Sequence, residues 1–185
     1  MGTLIIFETH SLTEDNEAGI ATGWLPGKLS SAGREYAAAL GRRRSADDLA
    51  AVFTSDLGRA LETAHIAFAH SDVPILADWR LRECDYGALN GALADKVHAN
   101  RRAFLDSSYP GGESWRAATD RMSRFLADLV LRWEGARVLV IGHVATRFGL
   151  ERFILGKDLA ELVSSEFAWQ EGWEYILEQA HPMAR

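Results

Sequence analysis

Residues 3–10, TLIIFETH, and residues 137–143, RVLVIGH, decide how this chain folds. The apolar part of each run does not alternate with polar residues, so the strand it forms is covered on both faces. That is the habit of a parallel sheet flanked by helices. Each run closes on a histidine, His10 and His143. Strand ends that open into a loop or helix hold the ligand sites of open α/β sheets, so these imidazoles are the first candidates for chemistry.

Working outward, the polar, glycine-containing stretch from Ser11 to Lys28 is long for a connector and suits a loop folded over a site. Ser30 or Ser31 caps a helix through AGREYAAALGRRR, with Leu40 turned inward. Leu49 to Phe53 reads as a second buried strand, Leu57 to Phe68 as a helix, and Pro74 to Leu76 as a short strand leading to Glu83. Gly91 to Leu105 reads as a helix of mixed quality, ended by Pro110, Gly111 and Gly112. From Ser114 to Trp133, Met122, Phe125, Leu126, Leu129 and Trp133 recur at three- and four-residue steps, as a half-buried helix requires. Arg137 to Ile141 is a strand and Val144 to Leu155 a helix. Phe167 to Trp169 and Trp173 to Leu177, joined through Gly172, have the look of a terminal hairpin. Strands alternating with helices predict an α/β three-layer sandwich with a mostly parallel central sheet, one domain over 1–185.

The 185 residues are 48% hydrophobic, enough for a sizeable core, and the formal charge of -6 argues against a general nucleic-acid binder. Cys84 is the single cysteine, so no internal disulfide forms. No apolar run approaches membrane-spanning length and no leader precedes LIIF, so a cytoplasmic protein is expected.

Two further residues join the histidines. Arg59 lies in the first turn of its helix, where a cation opposes the macrodipole unless an anion binds beside it. Glu83 lies in a loop before Gly87, where a partly shielded carboxyl can hold a proton near neutral pH. Two imidazoles, a guanidinium and a carboxylate supply a nucleophile, anion clamps and a proton donor for phosphoryl transfer. Thr13, Asn16 and the Thr22-Gly23 pair offer neutral groups for phosphate oxygens, and Arg147 lies one helical turn beyond His143. The histidines lack short metal-ligand spacings, so neither metal nor other cofactor is expected. His65, His70, His98 and His181 have no supporting context.

The strings around these residues, GWLPGKLSSAGR after His10, SDLGRALETA around Arg59, LRECDYG around Glu83 and VIGH at His143, resemble the histidine phosphatase superfamily, also called phosphoglycerate mutase-like. PGGES, Pro110 to Ser114, resembles a further family segment and reads locally as a helix start. The resemblance spans nearly the whole chain. It implies a phosphoglycerate mutase-like fold and hydrolysis of a small phosphorylated metabolite through a phosphohistidine on His10. Glu83 is then acid and base, Arg59, His143 and Asn16 hold the phosphoryl oxygens, and inorganic phosphate is the product.

The first motif departs from the family pattern. Thr9-His10-Ser11 stands where the family has arginine-histidine-glycine, and Glu8 adds a carboxylate at the strand end. Losing a charged clamp on a developing phosphoryl charge costs about 2–4 kcal/mol, two to three powers of ten in rate. Strand alternation places Glu8 on the side of His10, where it repels phosphate or pairs with Arg59. Arg147 and Arg82 are candidate replacements for the missing arginine. Three rival readings remain: a phosphoglycerate mutase using the same residues, a phosphate-binding or regulatory module that keeps the pocket without turnover, and a metal hydrolase. Substrate and oligomeric state stay open, a homodimer through the hairpin edge or the Trp-rich C-terminus among the options.

Overall fold

The computed structural model describes residues 2–178. Its main sheet has five strands, β1 (Thr3–Thr9), β3 (Ala51–Thr54), β4 (Ile75–Ala77), β6 (Arg137–Gly142) and β7 (Trp173–Leu177), in the order β4-β3-β6-β1-β7. The first four are parallel and β7 adds an antiparallel edge. The apolar runs are covered on both faces. Ile5, Phe7, Val138 and Val140 pack with Met122, Phe125 and Leu129 of α5 (Trp115–Arg132). Ile6, Leu139 and Ile141 face Leu40 of α2 (Ser31–Arg44) and Ala60 and Ala64 of α3 (Gly58–Ala67). The expected three-layer α/β sandwich is the architecture found, and α6 (Val144–Ile154) lies beside α5.

Caps set the helix starts. Ser30 accepts from Gly33 N and Ser114 from Ala117 N at 3.1 Å each, so the PGGES segment does start a helix. The Ser11–Lys28 stretch is more structured than a loop: α1 (Glu14–Glu17) is followed by β2 (Ile20–Ala21), which pairs with β5 (Ala92–Leu93). The helix expected over Gly91–Leu105 is only α4 (Ala94–His98) and a 3-10 turn at Arg101–Phe104, because β5 takes its start and no side chain caps α4. The terminal hairpin does not form. Trp173–Leu177 pairs with β1, Phe167–Trp169 is not a strand, and α7 (Leu159–Ser164) precedes them. No helix among the described residues is long and apolar enough to cross a membrane.

Candidate active site

Strand order assembles the site. Thr9 pairs with Gly142, and His10 N donates to Gly142 O at 2.9 Å, so His10 and His143 leave adjacent parallel strands side by side with ring centroids 5.0 Å apart. On the other flank of β6, Thr54 pairs with Ile141, and α3 after β3 brings Arg59 to the same point. Glu83 follows β4 through a 3-10 turn at Trp79–Leu81. The four parallel strands thus each deliver one candidate from the carboxyl edge of the sheet.

Arg59 is the hub. It is 2% exposed, and carbonyls fix its guanidinium: Nη1 donates to Leu25 O at 3.1 Å and Nη2 to Gly23 O at 2.9 Å. Its Nε donates to His10 Nε2 at 3.2 Å, and Nη2 lies 3.3 Å from His143 Nδ1. The surface pairing that an arginine in this turn usually makes is absent, since Asp56 binds Arg82 and Glu62 binds Arg34.

These contacts fix both tautomers. His10 Nδ1 lies 2.7 Å from Ser11 O, and a carbonyl only accepts, so Nδ1 carries the proton and Nε2 presents its lone pair. Burial and then the Arg59 charge push the His10 pKa down to about 3, so the imidazole is neutral at pH 7. Burial, then Arg59, also holds His143 well below the ordinary histidine range. With Nδ1 accepting from Arg59, its proton sits on Nε2, which is buried and has no partner among the described residues. The glycine before His143 has a steric cause: a Cβ there would sit 2.5 Å from Thr146 Oγ1, which accepts from His143 N.

Glu83, 8% exposed, occupies the start of α6. Its Oε1 accepts from Cys84 N at 2.8 Å and Ala145 N at 3.1 Å, and Oε2 from Val144 N at 3.2 Å. The amides beside His143 therefore serve this carboxylate.

His10, Arg59, Glu83 and His143 border one cavity of about 810 Å³, with Asn16, Thr22 and Gly23 also on its wall. Thr13 is elsewhere: fully buried, it caps α1 by accepting from Asn16 N at 3.0 Å. Thr13 N donates in turn to Asn16 Oδ1, Thr22 donates to Asp15, and Gly23, at φ +55°, contributes its carbonyl to Arg59. Arg147 turns away from the cavity, its Nε on Glu151 at 2.7 Å and its guanidinium over the Trp173 ring. Arg82 binds Asp56 through two nitrogens and stacks on Trp24 at 4.5 Å. Neither candidate replacement for an arginine at position 9 faces the cavity.

Glu8 does border the cavity on the His10 side, yet it pairs with Arg43 and Arg44 of α2 and not with Arg59. Sequence reasoning also passed over His98, Tyr86 and Arg101, which line the wall. Arg101 is 7% exposed, lies over the Trp115 ring and has no ion pair with any described residue. Burial and then Arg101 lower His98 to about 4. His181 lies outside the described residues.

Comparison with known proteins gives the family and the fold. Residues 5–171 match the histidine phosphatase superfamily (branch 1). A 2,3-bisphosphoglycerate-dependent phosphoglycerate mutase of Mesorhizobium japonicum is 35% identical, covering 90% of this chain and 88% of its own. Among solved structures, Bacillus stearothermophilus YhfR superposes with a TM-score of 0.80 at 29% identity over 91% of this chain and 88% of its own. A mycobacterial glucosyl-3-phosphoglycerate phosphatase superposes at 0.76, with 23% identity over 88% and 86%.

Proposed function

This chain belongs to the histidine phosphatase superfamily, and we propose that it is a metal-independent phosphomonoesterase working through a phosphohistidine on His10. The observation that carries the reading is the His10 tautomer: Nδ1–H is tied to Ser11 O, leaving a neutral Nε2 lone pair at the cavity. In the first step Nε2 attacks phosphorus, the P–O bond to the alcohol breaks, and the Glu83 carboxyl gives its proton to the departing oxygen. Oε2 is the oxygen for that proton, because it holds one amide where Oε1 holds two. In the second step water attacks phosphorus, the carboxylate takes the water proton, and the P–N bond breaks to regenerate His10 and release phosphate.

As phosphorus takes the His10 lone pair, the Arg59 Nε–H that had donated to it passes to a phosphoryl oxygen while Nη1 and Nη2 stay on Leu25 O and Gly23 O. His143 Nε2–H supplies a donor with no partner among the described residues.

A second reading has one observation in its favour. Arg101, buried beside the cavity without a counter-ion among the described residues, is an expensive placement unless a second anionic group docks there. That favours a substrate carrying its own carboxylate or second phosphate, and leaves room for transfer to such an acceptor as in a mutase. The test is hydrolysis of p-nitrophenyl phosphate with chelator present, beside 3-phosphoglycerate as acceptor, in wild type and His10→Ala. Alkaline quench and mass spectrometry should find phosphate on His10. Turnover that survives in His10→Ala would falsify the mechanism.

A further inference from the structure

We propose that Arg43, steered by Glu8, is a second guanidinium that grips the anion docked at His10, at a site where Thr9 offers only a neutral hydroxyl. The inference rests on the phosphoryl-binding reading above. Glu8 precedes His10 by two residues, about 6–7 Å along an extended strand, and Glu8, Thr9, His10 and Arg43 border the same cavity. Helical spacing carries Arg43 there, since Tyr36, Ala39, Leu40 and Arg43 share the cavity-facing side of α2.

The two arginines on Glu8 are not equivalent. Arg44 gives it two nitrogens, Nε at 3.0 Å and Nη2 at 2.7 Å, and is further tied to Asp47 at 3.3 Å and Glu171 O at 3.2 Å. It lies outside the His10 cavity. Arg43 gives Glu8 a single bond, from Nη2 at 2.9 Å. Its Nη1 stays 3.8 Å from the exposed Glu171 carboxylate, and its Nε has no partner among the described residues. Arg44 suffices to hold Glu8, and Arg43 is the cation left to turn towards an incoming anion. Glu8, which would repel phosphate if alone, instead keeps a long flexible arginine positioned at the wall.

Two readouts test this: titration of inorganic phosphate by calorimetry, and kcat and KM with p-nitrophenyl phosphate. Arg43→Gln should raise the phosphate dissociation constant and KM by about tenfold or more, the size of one lost charge-assisted hydrogen bond. Arg43→Lys should recover part of the loss. Arg44→Gln should also weaken phosphate binding, because Arg43 then becomes the sole partner of Glu8. Exposed Arg42→Gln should change neither quantity.

Phosphate binding by folded Arg43→Gln as tight as wild type overturns the proposal, and Arg43→Met provides the same comparison if Arg43→Gln does not fold. A wild type that binds phosphate in an Arg43-dependent way without turnover sinks the hydrolase reading alone. Turnover indifferent to Arg43 sinks this inference alone, and a wild type that neither binds nor hydrolyses sinks both.

Discussion

The floor and the wall of the cavity are built by different means. On the floor, backbone register does the placing: β3, β6 and β1 pair in parallel, so Arg59, His143 and His10 converge wherever their side chains happen to point. Nearly every polar atom there is then fixed by a carbonyl, an amide or another floor residue. The wall comes from a helix face, the segment around Trp169 and the 3-10 turn at Arg101, and parts of it stand open to solvent. Tyr36 is 58% and Trp169 61% exposed. A floor made this way can support one chemistry while the wall is free to vary in what it admits.

The sharpest way to break this contrast is to mutate one histidine from each region. His10→Ala should cut turnover of p-nitrophenyl phosphate about a thousandfold or more, whereas His98→Ala on the wall should cost under about fivefold. Similar losses would show that the wall takes part in the chemistry. Next in size is a pair of conservative arginine changes. Arg59→Lys loses the fork that meets His10, Gly23 and His143 together, and kcat/KM should fall about a hundredfold. Arg147→Lys should leave kcat/KM within about threefold, because its partners are Glu151 and Trp173.

Arg101→Met sharpens the account of the wall. With a buried charge removed, thermal stability should hold or rise, while KM for a substrate with a second anionic group rises about tenfold. Equal KM changes for p-nitrophenyl phosphate and 3-phosphoglycerate would remove the second-anion role.

The floor also predicts an effect on acid stability. Between about pH 6.5 and pH 3 the unfolded chain takes up a proton at position 10 that the folded chain refuses. Stability therefore falls as pH drops through that window, by at most about 1.4 kcal/mol per pH unit for one imidazole. Urea midpoints of His10→Asn should decline less between pH 7 and pH 4.5 than those of wild type. Parallel declines would mean that His10 is not held neutral.

The same contrast explains what the sequence disclosed. The floor candidates were legible because strand-end residues carry their cue locally, in a run such as VLVIG before His143 or the first turn holding Arg59. Fold class followed from those runs as well. The wall had no such cue. Arg43 sits in a run of three arginines at the end of α2, which the helix dipole already accounts for. Arg101 stands out only once its burial over Trp115 is known. Thr13 and Arg147 were assigned by proximity in sequence, and a capping bond and an ion pair claimed them instead. The expected hairpin does not form because β7 satisfies its backbone on β1, a partner from the opposite end of the chain.

Under the proposed mechanism, the pairing of β1 with β6 also makes turnover a reporter of folding. His10 and His143 come from opposite ends of the chain, and neither has its partner Arg59 in place until the central strand is inserted between two earlier ones. Sheets closed by such distant pairings form slowly, after local helices are already present. During refolding from urea, circular dichroism from α2, α3 and α5 should recover ahead of phosphatase turnover. The lag between the two signals would time the arrival of the last parallel strand.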